Sequence, residues 1–118
     1  DDRVEVAGII GDIVGKNVIV FDDEIATGGS IVAIIDLLRR NDVKRVTLAC
    51  THGVFSGPAI ERLRNIPEVE EIVTTNTVPL APEKVLPNMT ILSIAPLLSE
   101  AIKRIHQGES VSALFVNV

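Results

Sequence analysis

The sequence predicts an α/β fold in which a parallel β-sheet is flanked by helices. Short runs of β-favouring apolar residues alternate with segments whose apolar residues recur every three or four positions. Short connections join these segments, and such alternation is typical of a parallel sheet, both faces of which we expect helices to cover. The 118 residues suit one domain, and 47% of them are hydrophobic, which is enough to bury a core.

The first two elements are an apolar strand and an amphipathic helix. The strand is predicted from Asn17 to Phe21, where continuous apolar residues are typical of a strand buried on both faces. A weaker strand pattern runs from Val4 to Ile10. The helix is predicted from Ser30 to Arg40, because its apolar residues fall on one face. These residues are Ile31, Ile34, Ile35 and Leu38.

Three further strands complete the predicted sheet. They are expected at Arg45 to Thr51, Val69 to Thr75 and Thr90 to Ile94, where β-favouring residues cluster. A proline-bearing loop is predicted over residues 76–89. Ligands of such sheets gather at the carboxyl ends of strands, near a point where the strand order reverses. The chemistry is therefore expected at the segments that follow these strands.

Two further helices are predicted between and after these strands. Ser56 is a candidate N-cap of the second helix, which has Pro58 in its first turn. The last helix opens at Pro96 and ends at Gly108, a natural C-terminal stop. Its apolar stripe consists of Leu98, Ala101, Ile102 and Ile105, and Glu100 can pair with Arg104.

Composition and charge exclude several classes of partner. The formal net charge is −5, which argues against a nucleic-acid partner held by a basic surface. No apolar run reaches the length that spans a membrane. The single cysteine, Cys50, excludes an internal disulfide, fits a reducing cytoplasm and is expected to be buried. The chain begins with Asp1 rather than Met, which indicates a piece of a longer protein.

A glycine-bearing loop joins the first strand to the first helix. In Thr27-Gly28-Gly29-Ser30 the glycines let the backbone approach a ligand closely, and the two hydroxyls add donors. The first amide N–H groups of a helix lack internal partners and carry partial positive charge, so the segment favours an anion. The lysine of nucleotide-triphosphate loops is missing, and a monophosphate fits better.

Acidic residues precede this loop. Asp22 and Asp23 are acceptors that can bind vicinal hydroxyls or a Mg²⁺ that bridges those hydroxyls. A phosphate at a helix start beside a diol at a strand end matches the shape of ribose 5-phosphate. An ordinary loop beside solvated acids is the alternative, although three consecutive acids after an apolar strand are hard to explain by packing.

Other reactive side chains carry weaker indications. His52 follows the second strand, and a lone histidine is more often structural than catalytic. His106 is expected to be solvated on the polar side of the last helix. Ser56 is better explained as a helix cap than as a nucleophile, because no base is spaced to activate it.

Several segments together resemble the ribose-phosphate pyrophosphokinases, which are relatives of the type I phosphoribosyltransferases. The loop from Asp22 to Ser30 is similar to the phosphoribosyl-diphosphate-binding signature that both groups share. The stretches that resemble the pyrophosphokinases alone are Thr51 to Ile60, Thr75 to Pro79, Ile94 to Ile102 and His106 to Phe115. The resemblance extends from Gly11 to Phe115.

The resemblance implies a type I phosphoribosyltransferase-like, Rossmann-like domain over residues 1–118. It implies the carboxyl-terminal domain of a two-domain enzyme, whose amino-terminal domain is missing from this chain. Such enzymes use Mg²⁺ to transfer the diphosphoryl group of ATP to O1 of ribose 5-phosphate, which makes phosphoribosyl diphosphate for nucleotide biosynthesis. ATP binds mainly through the missing domain, so we expect the chain alone to be inactive.

The resemblance also assigns residues to sites. Asp22 and Asp23 would contact the ribose hydroxyls and the Mg²⁺, and the stretch from Thr75 to Thr77 would sit near the same pocket. The 5-phosphate would be held by Thr27, Gly28, Gly29 and Ser30, and Ala26 is a further substrate-binding position. In regulated members of the family, an allosteric phosphate or ADP site lies between subunits of an oligomer. Its matching residues are Ser110, Ser112 and Phe115.

Three positions of the loop depart from the family pattern. Ala26 replaces an aspartate, Ser30 stands where threonine is common, and Glu24 replaces an apolar residue. Ser30 keeps the hydroxyl, whereas Ala26 loses a carboxylate that would organise the substrate. Two alternatives therefore stay open. One is a non-catalytic regulatory homologue, favoured by Ala26, and the other is a phosphoribosyltransferase, which would need a base-binding hood.

Overall fold

A four-stranded parallel sheet forms the centre of this computed structural model, which describes residues 8–115. The strands are β1 (Asn17–Ile25), β2 (Arg45–Gly53), β3 (Val69–Thr75) and β4 (Met89–Leu92). The helices are α1 (Gly29–Arg40), α2 (Ala59–Arg64) and α3 (Ala95–Gln107), and short 3₁₀ turns lie at Pro82–Lys84 and Ser112–Phe115. The predicted class, a parallel sheet flanked by helices, is confirmed.

The strands lie side by side in chain order, and each neighbouring pair is parallel. Right-handed crossovers that always step in one direction place every connection on the same face of the sheet. The buried residues of α1 and α2 accordingly share one core with inward side chains of the strands. That core includes Ile31, Ile35, Leu38, Val46, Leu48, Cys50, Ala59, Leu63 and Ile72.

The opposite face of the sheet carries exposed apolar side chains. Ile19 and Phe21 of β1 are 62% and 79% exposed, so the prediction that this strand is buried on both faces is wrong. Helices cover one face rather than both within residues 8–115. The physical reason is the strand order: β1 is an edge strand, and no described crossover steps back across the sheet. The described strands therefore also contain no reversal of order.

The strand boundaries differ from the predictions at their carboxyl ends. β1 continues past Phe21 through the three acidic residues, because backbone pairing with β2 persists as far as Ile25 opposite Gly53. Backbone hydrogen bonds do not require apolar side chains, so the change of composition at Asp22 did not end the strand. β2 ends at Gly53 rather than at Thr51, and β3 has its predicted bounds. β4 runs from Met89 to Leu92 rather than from Thr90 to Ile94.

The helix termini partly match the sequence pattern. α1 ends at Arg40 as predicted, with Asn41 as its C-cap. The prediction of Ser56 as an N-cap is wrong, because Pro58 occupies that position and no side chain caps the helix. Gly108 ends α3 in the left-handed conformation with a φ of 70°, as predicted.

The apolar stripe of α3 does not contribute to the described core. Ile102 and Ile105 are 67% and 68% exposed, although the predicted pair of Glu100 and Arg104 forms at 3.0 Å. The predicted strand from Val4 to Ile10 lies mainly outside the described residues, and residues 8–10 are not in a strand. No helix in the described range is long and apolar enough to cross a membrane.

Gly53 is the last residue of β2 and packs against buried residues of the core. A Cβ built on Gly53 would overlap the ring of Phe55 and would lie 2.8 Å from the Thr74 Oγ1. Both neighbours are buried, so neither can move into solvent. The missing side chain is therefore what lets β2, Phe55 and β3 pack together.

We expect Gly53→Ala to lower the free energy of unfolding by about 1–3 kcal/mol, as overpacking of a tight core does. Urea denaturation measures this. Gly29→Ala is the matched control, because its Cβ would meet only ordinary contacts at 3.7 and 3.8 Å. Its cost should stay below about 1 kcal/mol, within the range of helix propensities. Equal costs for both variants would contradict the steric explanation.

Candidate functional site

A cavity of about 240 Å³ lies where β1 passes into α1. Its lining is continuous in sequence, from Asp22 to Ile31. The structure therefore brings together every residue that the sequence predicted for the phosphate-and-diol site. Those residues are Asp22, Asp23, Ala26, Thr27, Gly28, Gly29 and Ser30. One end of the lining is acidic, and the other is rich in glycine and hydroxyl groups.

The acidic end is organised by hydrogen bonds to the next amide along the chain. The Asp23 N–H donates to Asp22 Oδ1 at 2.8 Å, and the Glu24 N–H donates to Asp23 Oδ1 at 2.9 Å. A side-chain hydrogen bond with Asp22 and then the bond from the Glu24 amide hold the pKa of Asp23 below its ordinary value. Asp23 is therefore an ionised acceptor at neutral pH.

The acidic residues offer oxygen ligands for a hard cation. The described residues contain no group of three or more His, Cys, Asp or Glu side chains arranged to hold a metal. Mg²⁺ is commonly bound by only one or two carboxylates, with substrate oxygens and waters completing its shell. Asp22 and Asp23 fit that mode, in which the ion is held jointly with a ligand.

The segment that follows β2 fixes the backbone of the loop. The Ile25 carbonyl accepts hydrogen bonds from the N–H groups of Val54 and Phe55 at 3.1 and 3.0 Å, and the Ala26 carbonyl accepts one from Ser56 at 3.0 Å. In a trans peptide the carbonyl and the following N–H point in opposite directions. The amides of Ala26 and of the residue after it are thereby turned away from β2 and α2.

The next carbonyl is held by a side chain. Arg62 Nη1 on α2 donates to the Thr27 carbonyl oxygen at 2.8 Å. Gly28 then takes the left-handed conformation with a φ of 77°, and a Cβ there would lie 3.7 Å from the Ala59 backbone. The amides of residues 26–28 donate none of the hydrogen bonds found in residues 8–115. Together with the first amides of α1, they are available to an anion in the cavity.

The conformation of Phe55 supports this arrangement. Phe55 has a φ of 44°, which is strained for an aromatic residue. Complete burial of its ring and its amide hydrogen bond to Ile25 offset that strain, and Lys84 Nζ donates to its carbonyl at 3.0 Å. These contacts hold the connection between β2 and α2 in the conformation that contacts the loop.

The ends of β2 and β3 form a second polar cluster next to this cavity. Thr75 Oγ1 and Thr77 Oγ1 donate to the Thr51 carbonyl at 2.7 and 3.0 Å, and His52 Nδ1 lies 2.8 Å from Thr77 Oγ1. Glu24 is paired opposite His52 in the sheet register. The cluster therefore adjoins the acidic end of the cavity, although its residues do not line it.

The remaining candidate residues lie outside the cavity. Cys50 is buried, and burial raises the pKa of its thiol, which confirms the expectation of an unreactive core residue. His106 is exposed on α3, as predicted. The hydroxyl oxygens of Ser110 and Ser112 lie 2.7 Å apart, and Phe115 is exposed. No hydrogen bond found in residues 8–115 joins these last three residues to the cavity.

Sequence reasoning missed the contribution of Arg62. This residue lies 35 positions from Thr27, on a helix whose predicted features are a cap and a first-turn proline. Nothing in the spacing of charges marks it, because its contact depends on α1 and α2 lying on the same face. The rule of crossover handedness was the one available signal, since it places consecutive helices side by side.

Comparison with known proteins identifies relatives of the whole described region. The phosphoribosyl synthetase-associated domain family matches residues 5–116. A relative from Streptomyces coelicolor is 52% identical over 115 residues, which are 98% of the chain and 36% of that relative. The ribose-phosphate pyrophosphokinase of Aquifex aeolicus is 50% identical over 114 residues, which are 97% of the chain and 36% of that protein.

A solved structure agrees with the sequence comparison. The phosphoribosylpyrophosphate synthetase from Mycobacterium smegmatis superimposes with a TM-score of 0.81 at 42% identity, over 86% of this chain and 34% of that one. The chain spans about a third of the length of the relatives it matches. Since the family match covers nearly every residue, the chain belongs to the phosphoribosyl synthetase-associated domain family.

Proposed function

We propose that this chain is the carboxyl-terminal, type I phosphoribosyltransferase-like domain of a two-domain ribose-phosphate pyrophosphokinase of the cytoplasm. Its part in that enzyme is to bind ribose 5-phosphate. The observation that carries the proposal is the cavity lined by Asp22 to Ile31, in which free amide N–H groups adjoin paired carboxylates. That combination matches a phosphate ester whose sugar carries vicinal hydroxyls.

Each half of the cavity has one role in this proposal. The 5-phosphate receives hydrogen bonds from the amides of residues 26–28, from the first turn of α1 and from the hydroxyls of Thr27 and Ser30. The ribose hydroxyls donate to Asp22 and Asp23, whose ionised carboxylates can accept hydrogen bonds but cannot donate them. The loop therefore fixes the sugar at both ends and orients its O1, which is the kind of positioning that phosphoryl transfer requires.

The reaction joins O1 of ribose 5-phosphate to the β-phosphorus of ATP. The bond between that phosphorus and the oxygen it shares with the α-phosphate breaks, AMP leaves with the electron pair of that bond, and the proton of O1 is released to solvent. Mg²⁺, when bound, supplies neutralisation of the phosphate charges. No lysine or arginine lines the cavity, so ATP and the cations that neutralise it are assigned to the rest of the enzyme.

Two features support a larger assembly. The chain covers about a third of its relatives, and one face of its sheet exposes Ile19 and Phe21. We propose that the longer enzyme covers this face and forms a homo-oligomer. Ser110, Ser112 and Phe115, which follow α3 in the chain, would then contribute an allosteric phosphate or ADP site between subunits.

Ribose 5-phosphate should bind to the 118-residue chain and shift the amide resonances of Gly28 and Gly29 in NMR spectra. Asp22→Asn and Asp23→Asn should each weaken binding about tenfold or more, because each removes a charged acceptor. Asp42→Asn is the control, since Asp42 is exposed outside the cavity and Asn tolerates its φ of 54°. Equal losses in all three variants, or no shift at the glycines, would refute the assignment.

The chain alone should show no turnover with ATP, Mg²⁺ and ribose 5-phosphate in an assay that detects AMP. The physical reason is that its cavity can hold the acceptor sugar but offers no basic side chain for the diphosphate. The full-length enzyme is the positive control. If the chain alone turned over at the rate of the full enzyme, the proposal that ATP binds mainly to the other domain would be wrong.

A non-catalytic regulatory subunit is the second candidate, and Ala26 is the observation that favours it. Ala26 lines the cavity without the carboxylate that the family pattern places there. We expect the full-length protein with Ala26 to be active, and Ala26→Asp to change kcat/KM by less than tenfold. An inactive parent that gains activity on this substitution would instead support the regulatory role.

A further inference from the structure

Arg62 is placed differently from the other groups that hold the loop. Three main-chain amides of residues 54–56 hold the carbonyls of Ile25 and Ala26, and any residue type except proline could supply them. The Thr27 carbonyl is held by the guanidinium of Arg62 at 2.8 Å, which only a long, donating side chain can do. This contact therefore depends on the identity of residue 62.

The bond from Arg62 fixes the peptide that leads into α1. Because the peptide is trans, a carbonyl turned toward Arg62 leaves the Gly28 N–H turned the opposite way, toward the cavity. The Cδ of Arg62 would lie 3.9 Å from a Cβ on Gly28, and its Nη1 would lie 3.7 Å from a Cβ on Gly29. Its side chain thus lies against both glycines from behind.

The charge of Arg62 is also available to the loop. Arg62 takes part in none of the ion pairs found in residues 8–115, whereas Arg39, Arg45 and Arg104 each contact a carboxylate. Within the same range it is the only lysine or arginine that hydrogen-bonds to residues 25–30. A cation behind an anion-binding loop adds to the partial positive charge of the helix N-terminus.

We propose that Arg62 is a positioning residue for the phosphate group of the ligand. It orients the Thr27–Gly28 peptide so that the Gly28 amide meets the phosphate, and it contributes positive charge from outside the cavity. The identity of the ligand rests on the proposed function, but the inference applies to any phosphate bound by this loop. Arg62 does not line the cavity and makes no contact with the ligand in this role.

The test compares variants that separate the hydrogen-bond donor of residue 62 from its positive charge. Arg62→Gln keeps a neutral donor, Arg62→Lys keeps the charge, and Arg62→Met keeps only the apolar stem. Arg64→Met is the matched control, because Arg64 is an exposed arginine on the same helix and its side chain forms none of the hydrogen bonds found in residues 8–115. Ribose 5-phosphate and inorganic phosphate are both titrated into the 118-residue chain, and the Gly28 amide resonance is recorded.

Arg62→Met should weaken both ligands about tenfold and move the Gly28 amide resonance of the free protein, while Tm changes by less than about 3 °C. Arg62→Lys and Arg62→Gln should recover part of the loss, which a merely structural role would not predict. Losses below twofold, or an equal loss in Arg64→Met, would overturn the inference. If wild-type protein binds inorganic phosphate but not ribose 5-phosphate, the proposed function fails and the role of Arg62 is still decided by phosphate.

Discussion

The parallel pairing of β1 with β2 is the constraint on which the rest of the site depends. Their register runs from Asn17 opposite Arg45 to Ile25 opposite Gly53, and it brings the two strand ends to the same edge. The segment after β2 can therefore reach the carbonyls of the loop after β1, and α2 can reach Thr27. A shift of register by one residue would move these donors by about 3.3 Å and break all four contacts.

Local sequence patterns correctly predicted those helices and helix ends that depend mainly on their own residues. The stripe of Ile31, Ile35 and Leu38 fixed the position of α1, and the left-handed Gly108 ended α3 as expected. The cavity was also predictable, since a glycine loop after a strand and before a helix places its lining consecutively. These inferences need only the periodicity of the chain and the conformational range of glycine.

The predictions that were wrong concern properties that depend on contacts with other segments of the chain. The exposure of Ile19 and Phe21 follows from a strand order that places the described connections on the opposite face of the sheet, which no property of residues 17–21 specifies. The acidic end of β1 stayed in the strand because β2 continues beside it. Ser56 does not cap α2, because the helix begins later, with Pro58 at its N-cap position. Arg62 acts on residues that are distant in sequence, and only the strand order brings them together.

The exposed face of β1, which is an edge strand of the sheet formed by residues 8–115, has a consequence for the solubility of the chain. Val18 to Phe21 is a short, uncharged, β-favouring segment at the edge of the sheet, and such segments pair with copies of themselves. The three carboxylates that follow it place like charges at equivalent positions of any stacked copies, so repulsion opposes an in-register fibril. Asp22, Asp23 and Glu24 thus also oppose aggregation, and substitutions that neutralise them would remove that protection.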